Sequence, residues 1–362
     1  MKFIHMADMH FDAPFVALAN EKEFATKRRL EQRRVMKEII EYIKNEKVDY
    51  LFIAGDLYEQ QYIKKTTIEY INNLFKEISN TKIFITPGNH DPYINNSFYK
   101  QYKWNENVHI FKSKLEKIEE PNIDIYGYGF EDFHMPNLYK NIEIDNKNKI
   151  NILITHGSLD GANDENMQYN PMTSKDLKEL GFNYVALGHI HKNNIKDNQT
   201  IIYPGSTVSL GFDELGDRGF ILGEIDLSGK INTQFIKTSA KTFEEKNIDV
   251  SNINSQEDLI ELINNTNFND NKFYKVILIG QKNFSINTNE ILKMITIENI
   301  IKITDKRKIK YEIDKVAEEI NLKGLFAKKI KNQIEQEENN AEKEKLMSAF
   351  ELGMDILNSK GW

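Results

Sequence analysis

The stretch Ile83-Phe84-Ile85-Thr86-Pro87-Gly88-Asn89-His90-Asp91 decides how the rest of this chain is read. Four β-prone residues stop at a Pro-Gly pair, and three polar residues follow at once. A short apolar run bounded by turn residues reads as a strand buried on both faces. Working outward, the same arrangement recurs. Phe3–Ala7 leads into Asp8-Met9-His10, and Tyr50–Ala54 into Gly55-Asp56. Ile152–Thr155 leads into His156-Gly157, and Val185–Leu187 into Gly188-His189-Ile190-His191. Five of the eight histidines fall in this setting. Each sits just past the carboxyl end of a predicted strand, where open sheets gather their ligands. The neighbouring glycines permit tight turns and close backbone approach.

Further apolar runs at Val108–Phe111, Ile123–Tyr126, Ile201–Tyr203, Phe220–Leu222 and Ile231–Phe235 predict more strands. Two helices are predicted between the early ones. Thr26–Lys44 carries Leu30, Val35, Ile39, Ile40 and Ile43 at helical spacing, and Thr66–Ser79 carries Ile68, Ile71, Leu74, Phe75 and Ile78. The fold class is therefore α/β (α+β). Because strands dominate after Val108, a mixed sandwich is expected rather than a purely doubly wound sheet. The character changes around Ser239–Glu245. From Phe243 to Lys308 the pattern reads strand, helix, strand, helix, strand, with helices at Ser255–Asn264 and Asn287–Thr296 and a central strand at Lys272–Gly280. From Ile309 to Trp362 the chain is charged and helical, with Ile334–Lys345 as a solvated connection or helix end. Leu346, Met347, Phe350, Met354 and Leu357 lie on one face of the last helix, which either packs on its own protein or docks a partner. The expected division is 1–240, 241–308 and 309–362.

Composition bounds the function. At roughly 150 residues per domain, 362 residues make about two domains. A balance of 48 Lys+Arg against 55 Asp+Glu, net −7, argues against a protein held to nucleic acid or membrane by bulk charge, though a local basic surface remains open. With no cysteine, thiolate zinc fingers, iron–sulfur clusters, disulfides and cysteine nucleophiles are excluded. His5, Asp8 and His10 interrupt the first apolar stretch, so it lacks a signal-peptide core. No apolar run approaches the ~20 residues of a membrane span. The expectation is a cytoplasmic protein with no membrane association.

Imidazole nitrogens with carboxylate and amide oxygens, and no sulfur, suit divalent ions such as Mn²⁺, Fe²⁺ or Zn²⁺. Seven candidates allow four ligands per ion if one carboxylate bridges. Two ions about 3.5–4 Å apart can hold a hydroxide and stabilise in-line displacement at phosphorus. In order, the blocks D-x-H, G-D, G-N-H-D, H and G-H-x-H resemble the signature of the calcineurin-like metallophosphoesterase superfamily. They span Asp8 to His191, about half the chain. The resemblance implies a four-layer αββα metallophosphoesterase sandwich with a small α/β cap domain and C-terminal helices. It also implies two divalent metal ions, read as Mn²⁺: Asp8, His10, Asp56 and His191 would bind one, and Asp56, Asn89, His156 and His189 the other. His90 would act as general acid, and Asp91 would orient it or support the loop.

A narrower resemblance rests on Phe3–Phe15, Ile53–Tyr58, Tyr203-Pro204-Gly205-Ser206 and Gly211–Gly216, which look like the DNA-repair exonuclease branch of the superfamily. That branch includes nuclease subunits of SbcCD-type complexes and shorter YhaO-type members. It implies a DNA exonuclease (3′→5′) and endonuclease of double-strand-break repair and recombination. It also implies a homodimer acting on DNA ends or hairpins, with an SbcC-like coiled-coil ATPase docked on the C-terminal helices. In this reading a metal-bridged hydroxide attacks phosphorus and His90 protonates the leaving oxygen. Glu59 departs from the branch, which often has His or Asp there; it lies outside the seven ligands and bears on substrate positioning. The alternative is a metallophosphatase or small-molecule phosphodiesterase, which shares the phosphorus chemistry. A third reading, a binding protein with vestigial activity, sits poorly with a complete ligand set. His5 reads as packed or supporting, and His109 and His134 as structural. Lys27, Arg28, Arg29, Arg33 and Arg34 read as a solvated face or as phosphate-backbone contacts, and the early helices as a possible dimer surface.

Overall fold

The short runs form strands because alternate residues have two different cores to fill. In the computed structural model, which describes residues 1–15, 22–135, 142–162, 169–196, 199–226 and 228–359, the chain divides into two compact units. The first is Met1–Glu244 with Asn269–Phe273. Its elements in order are β1 (Lys2–Met6), α1 (Lys22–Glu46), β2 (Tyr50–Ala54), α2 (Lys65–Glu77), β3 (Lys82–Thr86), α3 (Phe98–Gln101), β4 (Val108–Ile110) and β5 (Glu116–Glu119). Then come β6 (Ile123–Gly127), β7 (Ile150–His156), α4 (Ser174–Leu180), β8 (Tyr184–Gly188), β9 (Ile201–Ile202), β10 (Gly219–Ile225) and β11 (Ile231–Lys237).

Two sheets result, ordered β11-β10-β1-β2-β3-β4 and β5-β6-β7-β8-β9. Strands β1 to β4 run parallel, as do β6 to β9, so their carboxyl ends collect along one edge of each sheet. Phe3, Phe52, Phe84, Ile125, Ile154 and Tyr184 fill the space between the sheets. The alternate residues Ile4, Met6, Leu51, Ile53, Ile83 and Ile85 face outward and are covered by Val35, Ile39 and Ile43 of α1 and Ile68, Ile71 and Phe75 of α2. On the far side, Leu153, Val185 and Leu187 pack with Leu177 of α4. Helix, sheet, sheet and helix thus form the four-layer αββα sandwich. Period-two burial explains it: each strand serves a different core on each face, as parallel strands covered on both sides do.

Helix α1 ends where Lys47 turns left-handed (φ 52°) and the Val48 N–H donates to the Ile43 carbonyl at 3.1 Å. The amino end of α2 has no cap of its own. Asp12 supplies it from 52 residues away, accepting from the Lys64 N–H at 3.1 Å and the Thr67 hydroxyl at 2.7 Å. Two elements carry too little pattern to be read in advance. β5 has a single apolar residue, Ile118. α4 buries only Leu177, and its signals are capping ones: Thr173 accepts from the Asp176 N–H at 3.1 Å, and Gly181 closes it at φ 84°.

The second unit, Glu245–Phe268 with Tyr274–Trp362, holds most of a three-stranded sheet β12-β13-β14, built from β12 (Thr242–Asp249), β13 (Lys272–Ile279) and β14 (Ile300–Asp305). Helices α5 (Gln256–Asn265) and α6 (Thr288–Met294) interleave with these strands and share a core of Ile248, Leu259, Ile263, Val276, Leu278 and Ile291. Three helices follow: α7 (Ile313–Ala317), α8 (Leu322–Gln336) and α9 (Asn340–Ser359). The stretch read as a connection or helix end is two helix ends with a break at Glu337–Asn339. Met347, Phe350, Met354 and Leu357 of α9 face Tyr311, Val316 and Ala327, so this apolar face packs on its own protein. Residues 360–362 of the tail expectation lie outside the described residues. Among the described residues no helix is long and apolar enough to cross a membrane.

Candidate metal centre

Five strands of the two facing sheets deliver the candidate residues to one crevice: β1 leads to Asp8 and His10, β2 to Asp56, β3 to Asn89 and His90, β7 ends on His156, and β8 leads to His189 and His191. The turns that bring them there are tight. Asp8 (φ 52°), His10 (φ 50°), Asp56 (φ 52°) and His189 (φ 106°) all lie in the left-handed region, a strain that surrounding packing must hold. Gly55 is required at φ 86°, and a Cβ there would run into the His156 ring.

The side chains converge closely. The His10 and His191 Nε2 atoms stand 3.1 Å apart. One Asp56 oxygen, Oδ2, lies 3.2 Å from His156 Nε2 and 3.8 Å from His10 Nε2. Asn89 Oδ1 lies 3.0 Å from His156 Nε2 and 3.2 Å from His189 Nδ1. Asp8 accepts the His189 backbone N–H at 3.0 Å. Among the described residues, three clusters could each hold an ion: Asp8 with His10 and His191; His10 with Asp56 and His90; and Asp8 with Asp56 and His156.

The outward nitrogens explain why the inward ones are available. His10 Nδ1 faces Glu59 Oε1 at 2.8 Å, His156 Nδ1 the Ala54 carbonyl at 2.9 Å, and His191 Nδ1 Glu214 Oε1 at 2.7 Å. A carbonyl or ionised carboxylate can only accept, so each Nδ1 carries the proton and each neutral ring turns its Nε2 lone pair inward. Anchoring a ligand imidazole this way fixes its tautomer and raises its basicity. Two Nε2 lone pairs 3.1 Å apart repel unless positive charge lies between them. Burial works against the charged imidazoles, yet Asp56 raises His156 to about 8, and the Glu214 hydrogen bond with the Asp8 charge raises His191 to about 9. A divalent cation satisfies the same demand, and this nitrogen–oxygen donor set matches Mn²⁺, Fe²⁺ or Zn²⁺. The residues fit a metal pair.

His90 stands at the rim with its side chain 45% exposed, and its Nδ1 faces Glu59 Oε2 at 3.0 Å. Burial opposes its charge, but Asp56 and Glu59 outweigh it and raise His90 to about 9. Asp91 lies behind the loop. It accepts backbone N–H groups of Gly88 at 2.6 Å and Leu57 at 2.7 Å, and the Tyr99 hydroxyl at 2.6 Å. These bonds tie the β2 turn to the β3 turn. Burial and the Asp56 charge raise Asp91 to about 6.

Glu59 and Glu214 are the residues that spacing did not single out as partners of the cluster. Glu214 lies within the Gly211–Gly216 stretch, and it also accepts from the Ser206 hydroxyl at 2.8 Å. His5 is a packed residue, held by the Tyr184 hydroxyl at 2.9 Å and the Leu187 carbonyl at 3.1 Å. His109 pairs with Glu116 at 3.0 Å, and His134 is exposed. The basic cluster is not one solvated face. Arg28 is fully buried, donates to the Ser209 carbonyl at 2.6 Å, and lies against Phe15, Phe243 and Phe273. Arg33 holds Thr67 at 2.8 Å, and Arg34 holds the Ser239 carbonyl at 3.0 Å. Of the five, Lys27 and Arg29 are left without a role in joining elements. A cavity of about 300 Å³ opens beside His189 and His191, with exposed Lys192 at its edge. A larger one of about 890 Å³ lies at the amino end of β8, the end opposite His189, and has no metal-binding cluster among the described residues.

The chain is similar to several known proteins. The metallophosphoesterase YhaO of Bacillus subtilis is 28% identical over 280 residues, covering 74% of this chain and 67% of that protein. The SbcD component of the SbcCD nuclease of Staphylococcus epidermidis is 27% identical over 276 residues, covering 65% and 69%. Its counterpart in Staphylococcus saprophyticus is 28% identical over 270 residues, covering 65% and 68%. Among solved structures, Thermus thermophilus TT1561 aligns with a TM-score of 0.37 at 11% identity over 65% of this chain and 98% of its own. A purple acid phosphatase of yellow lupin aligns at 0.39 and 13% over 66% and 51%. The model of the calcineurin-like phosphoesterases matches residues 1–193, the part that carries the whole cluster, so the chain belongs to the calcineurin-like phosphoesterase family, whose members are metal-dependent phosphoester hydrolases.

Proposed function

We propose that this chain is a dimetal DNA nuclease, a 3′→5′ exonuclease with endonuclease action, in double-strand-break repair. Its resident metal would be Mn²⁺ and its compartment the cytoplasm. Asp8, His10, Asp56 and His191 would hold one ion, and Asp56, Asn89, His156 and His189 the other. When bound, the pair supplies a hydroxide nucleophile and neutralises charge developing on phosphorus. The protein's own residues do the rest. Asp56 stands between the two ligand sets. His90, at the exposed rim with its Nδ1 on Glu59, would donate a proton to the departing sugar oxygen, a step worth 10²–10⁴-fold. Asp91 keeps the His90 loop in register with the Asp56 turn. Lys192, Lys27 and Arg29 would be among the cations that meet DNA phosphates.

The observation that carries the nuclease reading is the extent of the similarity. With the SbcD component of the staphylococcal nuclease it covers 65% of this chain, about 235 of the 362 residues, against the 193 matched by the phosphoesterase module. On this reading 1–240 is catalytic, 241–308 caps the site and 309–362 docks an SbcC-like coiled-coil ATPase. Leu325 (66% exposed) and Leu352 (62% exposed) would form the docking surface, since the Met347–Leu357 face is occupied internally. Leu30, 60% exposed on α1, would lie in a homodimer contact.

The test is cleavage of duplex DNA by the purified protein with Mn²⁺, beside mononucleotide and phosphoprotein substrates. DNA cleavage is the expected result. Turnover of only the small or phosphoprotein substrates would replace the nuclease reading with the phosphatase one. Co-purification with a coiled-coil ATPase should be lost in Leu325→Asp/Leu352→Asp, and undiminished binding would remove the docking surface.

A further inference from the structure

Two side-chain amides are sealed inside the first unit, each against the backbone of a candidate ligand histidine. Gln32 of α1 is fully buried, and its Nε2 donates to the carbonyls of Met9 and His10, both at 2.8 Å. Asn170, between β7 and α4, is also fully buried. Its Nδ2 donates to the His156 carbonyl at 2.8 Å and faces the hydroxyl oxygens of Thr155 and Tyr128, each at 3.3 Å. A carbonyl can only accept, so each amide must turn its NH₂ toward the histidine backbone. The opposite end of each amide gains nothing: Gln32 Oε1 and Asn170 Oδ1 are buried without a hydrogen bond. An apolar side chain of similar shape would pack there without that cost. The backbone it holds is strained at His10, which sits at φ 50° between Asp8 at φ 52° and Asp12 at φ 63°. The N–H groups of this turn are tied to the β2 turn, Asp8 to Gly55, His10 to Asp56 and Phe11 to Leu57, at 2.9–3.1 Å. Gln32 ties the carbonyls. On the other sheet, a Cβ at Gly157 would stand 2.6 Å from the Asn170 carbonyl oxygen, and the Asn170 N–H is anchored on the Met135 carbonyl at 2.8 Å.

We propose that Gln32 and Asn170 are positioning residues, one for each ion: Gln32 fixes the backbone of His10 and so the first ligand set, and Asn170 fixes the backbone of His156 and so the second. The outward nitrogens, His10 Nδ1 on Glu59 and His156 Nδ1 on the Ala54 carbonyl, hold each ring at one end. The amides hold the main chain from which the ring hangs, and with both ends held each Nε2 has one place to stand. The inference rests on the dimetal reading above, but not on DNA being the substrate.

The test compares Gln32→Met, Asn170→Leu and the double variant with the parent protein. Both substitutions keep the approximate shape, remove the donor and remove the unpaired oxygen. The readouts are the two Mn²⁺ binding steps, resolved by calorimetry, and EPR, which tells a coupled Mn²⁺ pair from a single ion; melting of the metal-free protein checks the fold. Each single variant is expected to weaken one step about tenfold or more and to leave the other within about threefold of the parent. At Mn²⁺ levels that give the parent its coupled pair, each should show bound single ions. In the double variant both steps should be weakened, each by the factor seen in its own single variant. If a variant does not fold, Gln32→Leu or Asn170→Ala carries the same comparison. Weakening of both steps by either single substitution overturns the proposal, since a purely structural role would do that. So do unchanged steps, and so does a double variant in which one step takes both losses while the other stays intact. A parent that binds a single Mn²⁺ overturns the dimetal reading, and this proposal with it; a parent that binds two, with variants that do not separate them, overturns this proposal alone.

Discussion

The crevice of the first unit and the helical tail of the second are assembled in opposite ways. In the crevice, contacts join residues far apart in sequence: His5 reaches Leu187 across 182 positions, and His189 reaches Asp8 across 181. Nearly every polar group there is held by a second one. In the tail, contacts are shorter in range, and Phe350 and Met354 serve a core shared with Tyr311 and residues of α7 and α8. Chemistry needs convergent lone pairs that sheet edges alone can gather. A three-helix tail needs only an apolar stripe, and that stripe says nothing of a partner once it is buried.

Perturbing each side should give separable outcomes. The largest effect is expected for Asp56→Ala, which removes the oxygen common to two clusters. Cleavage should vanish and bound metal, counted by elemental analysis, should fall together with it; metal retained at two per chain would break the bridging assignment. His90→Ala should lower DNA cleavage 10²–10⁴-fold while leaving bound metal unchanged, and unaltered cleavage would remove His90 from its role. Phe350→Ala tests the other region. It should cost the helical tail about 3–5 kcal/mol, seen as early melting and protease sensitivity, with cleavage of small diesters intact. Glu214→Gln should weaken Mn²⁺ about 10–100-fold through loss of the His191 anchor, with no change in tail protection by hydrogen exchange.

The remaining test is that of pH. Ligand imidazoles must be neutral, and His156 and His191 sit at about 8 and about 9 in the metal-free fold. Metal binding at neutral pH should release protons, and Mn²⁺ affinity should climb between pH 6.5 and 9, roughly tenfold per unit for each proton displaced. Stability of the chelated protein should move the other way. Both pKa values are raised above the unfolded value near 6.5, so their contribution is full below that pH and is lost as pH rises through 8 to 9. Melting at matched ionic strength, with and without Mn²⁺, reads both trends.

Much of the crevice was legible without coordinates. An apolar run such as Ile83–Thr86 has few conformations open to it other than a buried strand, and the polar residues after it must then stand at the strand's end. What stayed hidden were the contacts these groups make. Glu59 stands out only as a departure bearing on substrate positioning, Glu214 looks like an ordinary loop acid, and Arg28 looks like one cation of a basic cluster. Arg28 proves to be buried against three phenylalanines, because tertiary packing overrides the tendency of charge to face water when carbonyls such as Ser209 satisfy it. The last helix shows the converse: its stripe was plain, its occupant was not.

By itself, then, the sequence determined the strands, the helix faces and the candidate ligands that follow the strands, since these depend on residue type and local spacing. Only the tertiary structure decided which acceptor holds each imidazole, that Asp12 caps α2, and that the Phe350 face is already covered. Those outcomes depend on distances between segments 20 to 200 positions apart, which a one-dimensional pattern does not contain.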